Sequence, residues 1–306
     1  MAFHLRANFP DFFLDLLPGL DSVYMQAKDL DETKAAYKKI YFTKDSDSAF
    51  EQVSGVSGFD TFVNVGEAEE VPLMSIAQLY DKKFTHLKWA GAYGISEEMS
   101  DDDNFEIVAN MARAHARAFR YTKEVDLAGP LNNGGTAALE ASADGSAIFA
   151  THTLYDGSTI ANTVATDFGV AAAQTMFNHF ATLTDDRGQD ISLEPYCILA
   201  NPRMKWVIEE TMKSAYKPFT TTNEINALAD ETLMPVYWNR ITDQDAWYVS
   251  TKPEDLNGNG LRLYNRMDFT TSNDFDVRNL TMFVVGRGRW SRGCIDWRQL
   301  YRSTGA

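Results

Sequence analysis

The chain has 306 residues, 44% of them hydrophobic and 23% charged, with a formal net charge of -15. That length buries one large core or two modest ones, and the acidic balance excludes a general binder of nucleic acid or of anionic membrane surfaces. Two cysteines without CxxC spacing, Cys197 and Cys294, exclude a disulfide framework and a cysteine zinc site, and no apolar run reaches the length of a membrane span.

Residues 1–45 read as an extended or partly helical arm. Its apolar patch, Phe9 to Leu17, is interrupted by Pro10, Asp11 and Asp15 and is followed by no small-residue cleavage site, so it is not a signal peptide. A short amphipathic segment, Asp31 to Tyr41, ends near Lys38 and Lys39. The arm is too small for a core of its own and needs something to lie across. Residues 46–95 read as a long two-stranded excursion. Thr61, Val63 and Val65 share one face of a strand, and Phe84, His86 and Lys88 alternate with Thr85, Leu87 and Trp89 in another. An isolated hairpin is marginal in water, so this one is expected to rest on another subunit.

Ser96 to Pro130 is expected to hold the one long helix, 101–128, about 40 Å at 1.5 Å per residue. Ser100 is the expected N-cap, with Asp101, Asp102 and Asp103 against the positive end of the dipole and Asp103 at capping-box spacing. Phe105, Val108, Ala109, Ala112, Ala116 and Phe119 form its apolar stripe; Glu106, Arg113, Arg117, Arg120 and Lys123 form the other face, and Gly129-Pro130 the stop.

After a polar connection, Leu131 to Gly145, helix and strand alternate as in an α/β domain. A helix at about Thr166 to Leu183 is capped by Thr166 or Asp167 and buries Phe168, Ala171, Ala172, Met176 and Phe180. The turn Asp185-Asp186-Arg187-Gly188 leads to a strand, Tyr196 to Ala200. Asn201-Pro202 opens a second helix to about residue 215, which buries Met204, Trp206, Val207, Ile208 and Met212 in part. Strands follow at Met234 to Ile241, Ala246 to Ser250, Leu261 to Phe269 and Leu280 to Gly286, the last two expected against the long helix. From Gly258 onward eight arginines stand against four aspartates, a basic tail on an acidic chain.

The chemistry candidates are weak. Asp255 to Gly260 copies half of a calcium loop, but its twelfth position is Arg266 instead of a bidentate glutamate. Asp101–Asp103, or Asp185 with Asp186, could serve a metal-dependent hydrolase, yet capping accounts for the triplet. The five histidines have no paired-ligand spacing, Asn132 to Thr136 lacks the lysine of a phosphate loop, and no GxSxG occurs. The arginines beside Trp290, Trp297 and Tyr301 fit a subunit interface, where the planar guanidinium pairs with carboxylates, better than a phosphate backbone that the overall acidity repels.

The order arm, hairpin, long helix, inserted α/β domain and returning strands resembles the tailed-phage major capsid protein of the Hong Kong 97 fold. The strings AYGISEEMSDDD (Ala92 to Asp103), FATHTL (Phe149 to Leu154) with Asn162, LTDDRGQDISLEPYCILANP (Leu183 to Pro202) and GCIDWRQLY (Gly293 to Tyr301) carry the resemblance. It implies an α+β fold with an N-arm (1–45), an extended loop (46–95), a peripheral domain holding the long spine helix (96–140 and 261–306) and an axial domain (141–260). It also implies a non-enzymatic subunit without catalytic, cofactor or metal residues, forming hexamers and pentamers of an icosahedral shell around double-stranded DNA that it does not bind specifically. The virion is its expected place, after assembly in the host cytoplasm. A portal and a separate scaffolding or decoration protein are the further expected partners, since 45 residues leave no room for an internal scaffold. Expected contact residues are Phe62, Lys82, Lys83, Trp89, Arg287, Arg289, Arg292 and Arg298. Some members cross-link a loop lysine to a neighbour's asparagine; Lys82, Lys83 and Lys88 lie in that region, but without a matching motif no cross-link is assigned. An encapsulin-like cargo compartment is the nearest alternative.

Overall fold

The computed structural model describes residues 35–102, 106–218 and 224–306. The arm through Lys34, and Asp103 and Phe105 of the expected long helix, lie outside the described residues. The chain forms two compact units. The described part of the first consists mainly of His86–Asp126 and Asn265–Trp290; the second comprises Ala36–Thr85, Leu127–Tyr264 and Ser291–Ala306.

The first unit is a helix on a sheet. Strand Leu87–Ser96 pairs antiparallel with Thr281–Cys294, from Thr281 opposite Ser96 to Trp290 opposite Leu87. Leu261–Asp276 is the next strand across. Both late strands run several residues beyond their expected ends. The helical chain starts earlier than expected, as Glu97–Asp102, with the Met99 amide donating to Ser96 Oγ at 3.3 Å. Ser100 lies inside that helix instead of capping it, because the serine that precedes the carboxylates by a full turn takes the capping role first.

The main helix, Glu106–Leu127, is 22 residues and so about 33 Å long. Val108, Ala112 and Ala116, one helical turn apart, bury against Ile95, Met282 and Val284. Close approach depends on Gly286, which stands opposite Gly91 across the strand pair. A Cβ at Gly286 would stand 2.5 Å from the His115 ring and 2.7 Å from Phe269. His115 Nε2 donates to Gly91 O at 3.2 Å, and burial lowers its pKa. Lys123 departs from the expected polar face. It is buried, its Nζ donating to Asn265 Oδ1 at 3.3 Å and lying over the Trp290 ring. Its long stem covers apolar surface while its amine finds an internal acceptor.

The second unit is built on a five-stranded sheet in the order Thr163–Val164, Leu300–Ser303, Trp247–Ser250, Cys197–Ala200, Met234–Tyr237. The inner pairs around Trp247–Ser250 are antiparallel, and both edge strands join parallel. Each edge is short: one strand has two residues, and the other carries Pro235. Cys197–Ala200 and Trp247–Ser250 are buried at every position, as strands covered on both faces must be. Met176 and Phe180 of the helix Val170–Ala181, and Ile208 and Met212 of the helix Lys205–Lys213, close over Ile198, Trp247, Val249 and Tyr301. Leu300–Ser303, expected within the returning segment 261–306, pairs in this sheet.

Local details differ from expectation for identifiable reasons. Val170–Ala181 starts at Gly169, with no side chain capping it, and Thr166 instead uses its backbone: its N–H donates to Ser303 Oγ, and its carbonyl accepts from Trp247 Nε1 at 3.1 Å. Ala173, not Ala171, faces the core. Asn201 caps the next turn by accepting from the Arg203 amide, with Pro202 at its first position as expected. Trp206 and Val207, expected to be partly buried, are 69% and 41% exposed.

Two internal polar side chains support testable expectations. Asn162 is fully buried, accepting from the Ala150 amide at 3.1 Å and donating to Ile148 O at 2.8 Å and Leu300 O at 3.1 Å. Asn162→Ala strands these groups and should cost about 2–3 kcal/mol in urea unfolding. His179 packs on Phe180 and Tyr301, and burial pushes its pKa down to about 4. The unfolded chain then binds a proton near pH 6.5 that the folded chain refuses. Its contribution is therefore fully present above pH 6.5 and is lost as pH falls from 6.5 toward 4. Stability measured by urea midpoint should fall over that interval, and less steeply in His179→Phe.

Candidate assembly surfaces

The excursion at 46–95 is shorter in strand and longer in loop than the alternation suggested. Its paired strands are Phe50–Val56 and Gln78–Thr85, with a bulge between Ser54 and Val56. Thr61, Val63 and Val65 are not in a strand at all. Alternation fixes a strand only where a neighbouring strand takes the hydrogen bonds, and residues 61–65 pair with no strand among the described residues. The hairpin root is anchored on its own unit: Phe84 meets Tyr264 with ring centroids 5.1 Å apart beside Ile295, with Val53, Tyr80 and Ala143 packed around them. Lys82, expected as a contact, donates to Ala141 O at 2.8 Å and so belongs to this root.

The loop beyond the root is different in character. Phe62 is 93% exposed and Leu73 fully so, with Phe59, Val63, Val71 and Ile76 also exposed. Only a local turn organises its end, where the Glu69 amide reaches Gly66 O and the Glu69 carboxylate accepts from the Gly66 amide. Folding a chain does not reward six exposed apolar side chains on one loop; docking does.

The basic tail splits into two groups. Arg287 and Arg289 lie on Thr281–Cys294 in the first unit, and Arg289 sits directly across from Lys88. Like charges opposite each other weaken a sheet pair, and among the described residues no ion pair engages Lys88, Arg287 or Arg289. Lys83, on the hairpin, lies exposed over the Phe50 ring at 4.1 Å. Trp89 is half-buried and stacked on Trp290, centroids 5.4 Å apart.

Arg292 and Arg298, in the second unit, are corrections. Arg292 Nη1 pairs with Glu140 Oε1 at 2.6 Å, both side chains largely covered. Arg298 is buried, donating to Thr184 O at 2.9 Å, Asp186 Oδ1 at 3.0 Å and Asp296 Oδ2 at 3.3 Å. Burial raises the Asp296 pKa against the pull of that guanidinium. A run of arginines and aromatics looks the same in sequence whether it meets a partner or its own interior. Two of the three acids it meets here, Glu140 and Asp186, lie more than a hundred residues away along the chain.

The polar motifs are internal too. Asp185 Oδ1 accepts from the amides of Arg187 and Gln189, and Asp186 is held by Arg298, so both carboxylates have structural partners. At the Asp255–Gly258 turn the guanidinium of Arg262 occupies the acceptors, taking Gly258 O at 2.8 Å and Asn259 Oδ1 at 3.0 Å. Among the described residues no group of three or more His, Cys, Asp or Glu is placed to hold a metal ion, and no helix is long and apolar enough to cross a membrane.

A family model described as phage capsid protein matches residues 80–303. The chain belongs to the phage capsid protein family. Solved structures agree on the fold at low identity. A capsid of an empty GTA particle matches at a TM-score of 0.59 and 12% identity, with 89% of this chain and 90% of that chain covered. A Microbacterium phage Oxtober96 chain matches at 0.56 and 12%, covering 89% and 91%. The capsid of Myoviridae phage XM1 matches at 0.56 and 10%, covering 90% and 92%. No curated protein sequence matches. This capsid protein therefore has the Hong Kong 97-type mixed helix and sheet fold, is a major capsid protein of a tailed phage, and has a structural role as part of the virion. Its work is self-assembly into a shell, so its functional sites are surfaces.

Proposed function

We propose that this capsid protein closes an icosahedral shell of hexamers and pentamers by docking the loop 57–77 onto neighbouring copies. The single observation that carries the reading is the exposure of that loop's apolar side chains, Phe62 and Leu73 above all. The arm 1–45, extended loop 46–95, peripheral domain 96–140 with 261–306, and axial domain 141–260 are proposed as its working parts, with the strand Leu300–Ser303 contributing to the axial sheet. Lys83, Trp89, Arg287 and Arg289 remain proposed contacts. A carboxylate from an acidic neighbour would relieve the Lys88–Arg289 repulsion. Many weak contacts of this kind close a shell together.

The subunit acts without catalysis and assembles in the host cytoplasm, together with a portal and a separate scaffolding or decoration protein. A net charge of -15 suits a wall that encloses double-stranded DNA without gripping it. Negative-stain microscopy and light scattering of the purified protein test the assembly reading. Uniform shells or rings of five or six subunits are expected, and a persistent small monomer overturns it. Nuclease-protected DNA in virus-derived shells separates this reading from a cargo compartment.

A further inference from the structure

The loop 57–77 leaves and re-enters its hairpin at one point, and a single side chain holds both of its ends. Arg187 stands in the turn after Asp185, where Asp185 Oδ1 fixes its amide and Gly188 adopts a φ of +76°. Its guanidinium donates to Ser57 Oγ at 3.0 Å and to both oxygens of Asp60 at 3.2 and 3.3 Å on the outgoing chain. It also donates to Ser75 O at 3.2 Å on the returning chain. The Tyr155 ring lies below it at 4.8 Å, and its side chain is only 12% exposed. Gln189, two residues on, donates to Phe59 O at 2.8 Å. Ser57 closes the neck, its amide donating to Ala77 O and its hydroxyl accepting from the Ala77 amide.

We propose that Arg187 is a positioning residue for assembly: by clamping the neck at Ser57, Asp60 and Ser75 it fixes the direction in which the apolar loop reaches toward a second copy of this chain. The inference rests on the shell reading above. A planar fork spreads five donors over three nitrogens and so reaches acceptors on both chains of the neck, whereas a lysine presents its three donors from a single nitrogen. Without the clamp the loop samples many directions, and each docking event must order it anew. The binding free energy then carries that entropy, and the productive encounter rate falls.

The test uses the full chain. Cys197 and Cys294 are buried, so a spin label reacts selectively at Glu67→Cys in the exposed turn of the loop. Arg187→Ala and Asp60→Asn are each compared with wild type by far-UV circular dichroism, label mobility, and the rate and uniformity of shell formation. Asp60 is 58% exposed at its side chain, so its substitution spares the core. The expected result is a folded subunit with a more mobile label, assembly slowed about tenfold or more, and shells of mixed size. Arg187→Lys should fall between, and the exchange Arg187→Asp with Asp60→Arg should recover part of the rate, which a merely structural role would not do. A folded variant with a mobile label and unchanged shells overturns the proposal, and so does a label whose mobility does not change. Wild-type protein that never closes shells sinks the shell reading instead, while the label still reports whether Arg187 holds the neck.

Discussion

Phe62→Asp combined with Leu73→Asp is expected to abolish shell formation while leaving the subunit as stable as wild type. Both side chains are exposed in the subunit, so their replacement removes no internal contact. In a shell each would bury an apolar side chain worth about 1.5–3 kcal/mol, and a carboxylate in its place adds a desolvation cost. Losing about 4 kcal/mol at every docking event weakens each contact roughly a thousandfold. Light scattering and microscopy should show dispersed subunits or small rings, with an unchanged urea midpoint. Closed shells from the double variant would mean that the loop is not a docking element. Deletion of the whole stretch from Asp45 to Ala90 is a poorer test, because Phe84 and Tyr80 belong to the buried root and the body would lose packing with them.

Arg298→Ala should produce the opposite phenotype, a subunit that fails before assembly begins. Its guanidinium, 3% exposed at the side chain, is the shared partner of Asp186 and Asp296, themselves mostly covered. Removing one member of a buried charge group costs about 3–5 kcal/mol because the others are left uncompensated. For a unit of this size that is a fall in melting temperature on the order of 10 °C. The triple change Arg298→Met, Asp186→Asn, Asp296→Asn should recover most of the loss, since a neutral cluster has no charge to compensate. If Arg298→Ala alone melts with wild type, the cluster has no structural weight.

Much of the architecture was readable where local chemistry and tertiary demand agree. Asn201-Pro202 opened a helix because an asparagine cap and a proline at the first position suit that geometry in any context. The stripe Val108, Ala112, Ala116 marked the buried face of the long helix, since only burial selects that spacing. Thr61, Val63 and Val65 misled because their alternation has no partner strand within the described chain. Arg298 misled for the converse reason: one of its two acids, Asp186, comes from a turn 112 residues away, and no spacing rule links them. Of the expected contact residues, Phe62 and the pair Arg287 and Arg289 stand in places a neighbour can reach, whereas Lys82, Arg292 and Arg298 serve the subunit's own interior. Arg187 carried no signal in sequence at all, since a clamp is defined by what it holds.

The margins of the five-stranded sheet bear on how a shell wall stays finite. A capsid concentrates many copies of one chain in a thin layer, the condition under which exposed sheet margins recruit one another into fibres. Here one margin is two residues long and the other is interrupted by Pro235, which lacks an N–H to offer. Ribbon-like polymerisation through this sheet is therefore denied a template, however closely the copies crowd during particle formation.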